Sequence, residues 1–120
     1  MSRADVEDLR EMYVRQCSAD PWGEAAAVAV LLGFGRISGD NRFASHTDRA
    51  GVSWGEVLAD STWSPSERFL IASAAALWNG RHGPVDLSRV SWLDDTFWGV
   101  WHEMVLAART GRIPGPGEER

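Results

Sequence analysis

Apolar positions recur at helical spacing along most of this chain. Val6, Leu9, Tyr13 and Cys17 share one face of a segment from Ser2 to about Ser18, with Asp5, Asp8, Glu11 and Arg15 off it. That spacing predicts an amphipathic helix with Cys17 turned inward as an inert thiol. Asp20-Pro21 restarts the chain, because Asp20 can cap backbone N–H groups and Pro21 suits a first helical position. Glu24 to Leu32 is apolar nearly all round, its small residues admit close neighbours, and Gly33 and Gly35 end it. Residues 35–52 show no helical period and read as one long irregular loop, with room for a short hairpin around Gly39-Asp40-Asn41.

Beyond the loop, helix starts are marked twice by the same device. Ser53-Trp54-Gly55-Glu56 and Ser64-Pro65-Ser66-Glu67 both match a capping box. The first predicts a short helix from Trp54 to about Asp60. The second, with Phe69 to Trp78 apolar on every side and Asn79-Gly80 as a stop, predicts the central helix. Gly83-Pro84 makes a turn, Asp86 caps a short helix to about Ser91, and Asp94 caps the last helix to about Arg109. In that last helix the inward stripe reads as Phe97, Trp101, Met104 and Ala108, flanked by Val100 and Val105. The fold class is therefore all-α: a compact bundle of five to six helices around a central apolar helix at about 65–79, with an irregular loop at 35–52. Residues 1–113 form a single helical domain, and the Gly/Pro-rich residues 114–120 form a disordered tail.

Composition adds two facts. Seven tryptophans occur in 120 residues: Trp22, Trp54, Trp63, Trp78, Trp92, Trp98 and Trp101. Each can bury about 150–250 Å², so the chain holds more aromatic surface than a core of this size needs. The net charge of −5 is spread evenly, with ten acids and six arginines in the first sixty residues and seven and six in the last sixty. Such a field favours neither nucleic acid nor an anionic membrane. All the basic residues are arginine, which points to a GC-rich bacterial or phage genome. One cysteine excludes an internal disulfide, and the longest apolar run, Ala25 to Leu32, is far too short for a bilayer. The expected compartment is the cytoplasm.

Motifs that suggest chemistry fail on context. Gly51-Val52-Ser53-Trp54-Gly55 fits a nucleophile elbow, but no buried strand is predicted before it and Ser53 already serves as a cap. His102-Glu103 begins a zinc motif whose second histidine is replaced by Leu106, and His46, His82 and His102 are far apart. Gly33-Phe34-Gly35 lacks the third glycine of a dinucleotide fingerprint and follows a helix. No catalytic residue, metal or cofactor is expected. Arg36, Asp40, Arg42, His46, Asp48 and Arg49 crowd the loop, where His46 and Asp48 could form an acid/base pair and the arginines could hold an anion.

Residues 64–113 resemble the layout of helix-turn-helix and winged-helix domains: a capped helix, a short second helix around Asp86–Ser91, a third from Asp94, and Thr110-Gly111-Arg112-Ile113 where a wing strand would start. The resemblance implies DNA binding by the third helix. Its start, Asp94-Asp95-Thr96-Phe97-Trp98, carries two acids where base-reading residues belong, and these repel phosphate.

The expected function is that of a small non-enzymatic protein-binding module, an adaptor, inhibitor or accessory factor. Its partner is another protein or a second copy, and nucleic acid and membrane are not expected. The candidate contact residues are Arg36, Arg42, His46, Arg49, Trp92, Trp98 and His102. The alternatives are a degenerate helix-turn-helix regulator and a small enzyme using His46 and Asp48.

Overall fold

In a computed structural model, which describes residues 3–80 and 85–113, the chain is all-α apart from one tiny hairpin. In chain order the elements are α1 (Arg3–Ala19), α2 (Gly23–Leu32), α3 (Gly35–Ser38), α4 (Asn41–Ala44), β1 (Thr47–Asp48), β2 (Gly51–Val52), α5 (Trp54–Ala59), α6 (Pro65–Asn79), a 3-10 helix (Leu87–Trp92) and α7 (Asp95–Thr110). The Gly83-Pro84 turn and the tail 114–120 lie outside the described residues.

The centre is taken by α2, with α6 forming one of its walls rather than the axis expected for residues 65–79. Helices α1, α6 and α7 all pack on α2, and Ala25 to Ala29, Leu31 and Leu32 are buried. The reason is steric. Both α2 and α6 are apolar, but α2 carries six alanines and valines in a row and so admits neighbours on every side. Helix α6 carries Trp78 and Phe69 and keeps a partly open face.

Two glycines set how closely α7 approaches. A Cβ on Gly23 would collide with the Ala108 carbonyl oxygen. A Cβ on Gly111 would lie 2.7 Å from the Trp22 nitrogen, and Gly111 has a φ of 72° that only glycine adopts freely. The junction is closed by Trp22 N–H donating to the Gly111 carbonyl at 3.1 Å. Trp22 itself occupies the cap position of α2, so the expected Asp20 cap does not form.

The inward face of α1 is the expected one: Val6, Leu9, Tyr13 and Cys17 are all buried. Burial raises the Cys17 thiol pKa, and the thiol donates to the Trp22 carbonyl, so it behaves as a packed apolar group. At the start of α6 the capping box is complete, with Glu67 N–H donating to Ser64 Oγ at 3.1 Å and Ser64 N–H to Glu67 Oε1 at 2.9 Å.

The second box, at α5, is absent. Ser53 has a φ of −83° and ψ of 79°, against −64° and 159° at Ser64, and its hydroxyl makes no cap bond. Its N–H donates instead to the His46 carbonyl at 2.9 Å, continuing the hairpin whose register pairs Thr47 with Val52 and Asp48 with Gly51. Residues 35–52 are thus built from two single-turn helices and this hairpin, which forms at 47–52 and not around Gly39-Asp40-Asn41. Buried Ile37, Phe43, Ala44 and Thr47 anchor them, an apolar pattern too short to show a period in the sequence.

Gly23→Ala and Gly111→Ala should each lower unfolding free energy by about 1–3 kcal/mol, the usual cost of overpacking. Gly99→Ala, within α7 and with no atom within 4 Å of the added methyl, should raise it by about 0.5–1 kcal/mol. Urea denaturation of the three variants checks all of this. Equal effects would show that α2 and α7 do not meet this closely.

Candidate functional site

The seven tryptophans divide by what the fold does with them. Trp54 and Trp63 are buried. Trp22 and Trp78 form a triangle with Tyr13, with ring centroids 5.7–5.8 Å apart. Trp101 stacks 6.0 Å from Phe69 and donates its ring N–H to Ser73 Oγ at 3.2 Å. The two left outside are Trp92, at 77% exposure, and Trp98, at 43%.

Trp98 is not isolated. Its ring stacks on Trp101 at 5.8 Å and meets His102 at 5.7 Å. Farther along α7, Val105 and Leu106 are exposed at 39% and 46%, and Leu87 of the 3-10 helix at 65%. Positions 98, 102, 105 and 109 recur at helical spacing, so Trp98, His102, Val105 and Arg109 share one outward stripe with Leu106 at its edge. The buried stripe is Phe97, Met104 and Ala107, with Val100 and Trp101 half-buried against it. Val105, expected as a flank of the inward stripe, therefore belongs to the outer one, and Ala107 replaces Ala108 as the fully buried position. Leu87, Val105 and Leu106 were missed as surface residues. The signal was available for the last two, at seven and eight positions past Trp98.

Asp94, whose side chain accepts from Phe97 N–H at 2.9 Å, starts α7, and Asp95 stands exposed in its first turn. Arg109 is exposed in the last turn. The acids meet the positive end of the helix dipole and the arginine the negative end, so the stripe is acidic at one end, apolar in the middle and basic at the other.

The loop arginines are engaged elsewhere. Arg42 donates to both Asp40 carboxylate oxygens, at 3.0 and 2.9 Å, and to Thr62 Oγ1 at 3.0 Å, while its guanidinium lies 3.9 Å over the Trp63 ring. These bonds lower the Asp40 carboxyl pKa, the largest cause being the side-chain bond from Arg42. Arg42 is thus tied into the fold by partners within the chain. Arg49 pairs with Asp8 at 3.0 Å and Asp5 at 3.7 Å, tying the hairpin turn to α1. Arg36 lies 4.9 Å over Phe97, on the flank of α7.

His46 and Asp48 hold different partners. His46 Nδ1 is 2.8 Å from Glu56 Oε2, the carboxylate released from the unformed capping box. Asp48 accepts from Ala50 N–H at 2.8 Å and Gly51 N–H at 3.2 Å and so closes the hairpin turn. Glu56 is 68% exposed, and neither His46 nor Asp48 lines the three clefts described for this surface.

Of those clefts the roomiest, about 450 Å³, lies between α1 and the end of α2, lined by Arg10, Glu7, Glu11, Gly33, Gly35 and Ser38 among others. Arg10 Nε is buried there without a hydrogen-bond partner, close against Gly33, and a Cβ at Gly33 would lie 3.0 Å from it. Helix α2 has no basic residue in its last turn, and Arg10 brings a cation to that carbonyl-rich end from α1. A second cleft, about 310 Å³, lies under the 3-10 helix between Trp63, Phe69, Ala72, Val85 and Arg89.

The helix-turn-helix layout departs at its second member, which is a 3-10 helix with no buried residue. Among the described residues no group of three His, Cys, Asp or Glu is placed to hold a metal ion, and no helix is long and apolar enough to cross a membrane. The sequence matches no protein-family model, and neither a curated protein nor a solved structure matches it.

The Asp40 carboxyl should titrate below the usual value of about 3.9, and Arg42→Ala should return it toward that value, as read by carbon NMR of the carboxyl. A depressed native pKa contributes stability that is present above the unfolded value and is lost as pH falls through the depressed one. Arg42→Ala should therefore lower the melting temperature at neutral pH and flatten its fall in acid. An unchanged melting temperature would mean that Arg42 is free for other work.

Proposed function

We propose that this protein acts by binding another polypeptide through the outer face of α7, with Trp98 and Trp92 as its anchors, and not by catalysis. The observation that supports this is the concentration of exposed large apolar side chains on one helix, Trp98, Val105 and Leu106, with Trp92 and Leu87 exposed in the 3-10 helix just before its start. Scattered surface hydrophobics need no explanation, but a contiguous patch with a polar rim marks an interaction site. Tryptophan is also the residue most enriched among the few that carry interface energy.

The site's chemistry favours a protein partner over DNA. The stripe presents aromatic and aliphatic groups in its middle and two carboxylates at the helix start, where phosphate would be repelled. Among the residues expected to make contact, Trp92, Trp98 and His102 serve this reading directly, and Arg36 flanks it over Phe97. Arg42, His46 and Arg49 support the scaffold.

A photo-crosslinking amino acid at position 98 should give covalent protein adducts in cells, while the same group at Arg15, on the exposed side of α1, should give none. Trp92→Ala and Trp98→Ala should weaken capture of the crosslinked partner by about tenfold or more each, as expected of hot-spot aromatics. The Trp92 variant should melt like the parent, since that ring is mostly in solvent. Adducts formed equally at both positions, or at neither, would remove this reading.

A further inference from the structure

We infer that the occupant of the α7 face is a second copy of this chain, with its own α7 laid antiparallel against the first. This rests on the docking reading above and names its partner. The stripe has an internal symmetry that a foreign partner would not require. Residues 95, 98, 102, 106 and 109 are spaced by three, four, four and three, and they mirror about His102. A twofold axis through that position sets Trp98 against the partner's Leu106, and Asp95 against the partner's Arg109.

Both halves of this pairing are available. Trp98 and Leu106 are among the large apolar side chains left exposed. Asp95 and Arg109 are exposed at opposite ends of α7, about 21 Å apart at 1.5 Å per residue. A parallel arrangement would bring Asp95 against the partner's Asp95, Arg109 against the partner's Arg109, and the two helix dipoles into alignment. The antiparallel one reverses all three terms. It is also self-complementary and therefore closes as a dimer without leaving a free patch to propagate. Trp92, just ahead of the acidic end, extends the apolar contact past the partner's basic end.

One helix face with a flanking tryptophan is smaller than the roughly 800 Å² per partner of a standard interface. The dimer should therefore be reversible, with dissociation in the micromolar range or weaker. Sedimentation equilibrium of the full chain from about 1 μM to 1 mM spans that range. The parent should shift from monomer to dimer across the series, and Trp98→Ala should raise the dissociation constant at least tenfold. Asp95→Arg and Arg109→Asp should each do the same, and the double variant should recover most of the loss, because each chain then carries both reversed partners. Circular dichroism melts control for folding. If Asp95→Arg unsettles the start of α7, Asp95→Asn and Arg109→Gln provide the weaker single-charge tests.

A monomer at every concentration would overturn the inference, and so would a dimer indifferent to these charges or not recovered by the double variant. The crosslink at position 98 separates the two readings. Adducts to a different protein with a monomeric chain would sink self-pairing and leave docking standing, whereas no adduct and no dimer would remove both.

Discussion

The close approach of α2 and α7 is the constraint on which the rest of the structure depends. Gly23 lets the start of α2 press on the Ala108 carbonyl, and Gly111 lets the chain turn against Pro21 and Trp22. A side chain at either position would lever the last turn of α7 away from the core. Because α7 is held so near along Phe97, Met104 and Ala107, only one of its faces can point inward. The rotation that buries those three turns Trp98, His102, Val105 and Arg109 outward. The exposed stripe is therefore a consequence of backbone contact elsewhere, fixed by glycines that carry no function of their own.

The tryptophans follow from the same geometry. A core thinned by the alanines of α2 leaves gaps at its margins, and large rings fill them, four from at or near helix ends and one from the middle of α7: Trp22 and Trp78 around Tyr13, Trp54 against Phe43, Trp63 under Arg42, and Trp101 against Phe69. Trp63 and Trp101 also place their N–H groups on Val57 O and Ser73 Oγ, which removes the penalty of burying a donor. Five rings are thus accounted for by packing. The two that are not, Trp92 and Trp98, lie six residues apart in the last third of the chain, and their exposed apolar surface is what packing leaves over.

Much of the fold was legible because it depends on local rules. The face of α1, the capping box and glycine stop of α6, and the Asp94 cap of α7 are set by neighbours within a turn or two. What failed depends on residues distant in sequence. The Ser53 box has the right letters, but the hairpin claims its N–H for His46, and only tertiary structure brings that acceptor there. The choice of α2 over α6 as the axis turns on how three other helices approach, which composition hints at through alanine but does not decide. The loop arginines looked like free cations in part because Thr62 and the Trp63 ring, which complete the setting of Arg42 beside its near neighbour Asp40, and Asp8, which pairs with Arg49, lie 20 or more residues away. Trp92 and Trp98 were picked out by the sequence, but the engagement of Arg42 and Arg49 with other parts of the fold was not.

How Trp98 is held bears on what it can do. It stacks on Trp101, which stacks on Phe69 and is hydrogen-bonded to Ser73 of the buried α6 face. A relay of rings therefore runs from the core to solvent, and the outermost ring is braced by the one beneath it. Association ordinarily loses about 0.5–1.5 kcal/mol for each flexible side chain it immobilises, and a ring already fixed by stacking avoids most of that loss. His102 lies alongside Trp98 with its ring tilted by 34°, extending the run of rings along α7. Arginines held in bidentate pairs, like Arg42, are equally rigid but have their donors satisfied internally, so rigidity there serves the scaffold. A stacked ring with an exposed apolar face, present at Trp98 and absent at Arg42, is the combination on which the proposed docking face rests.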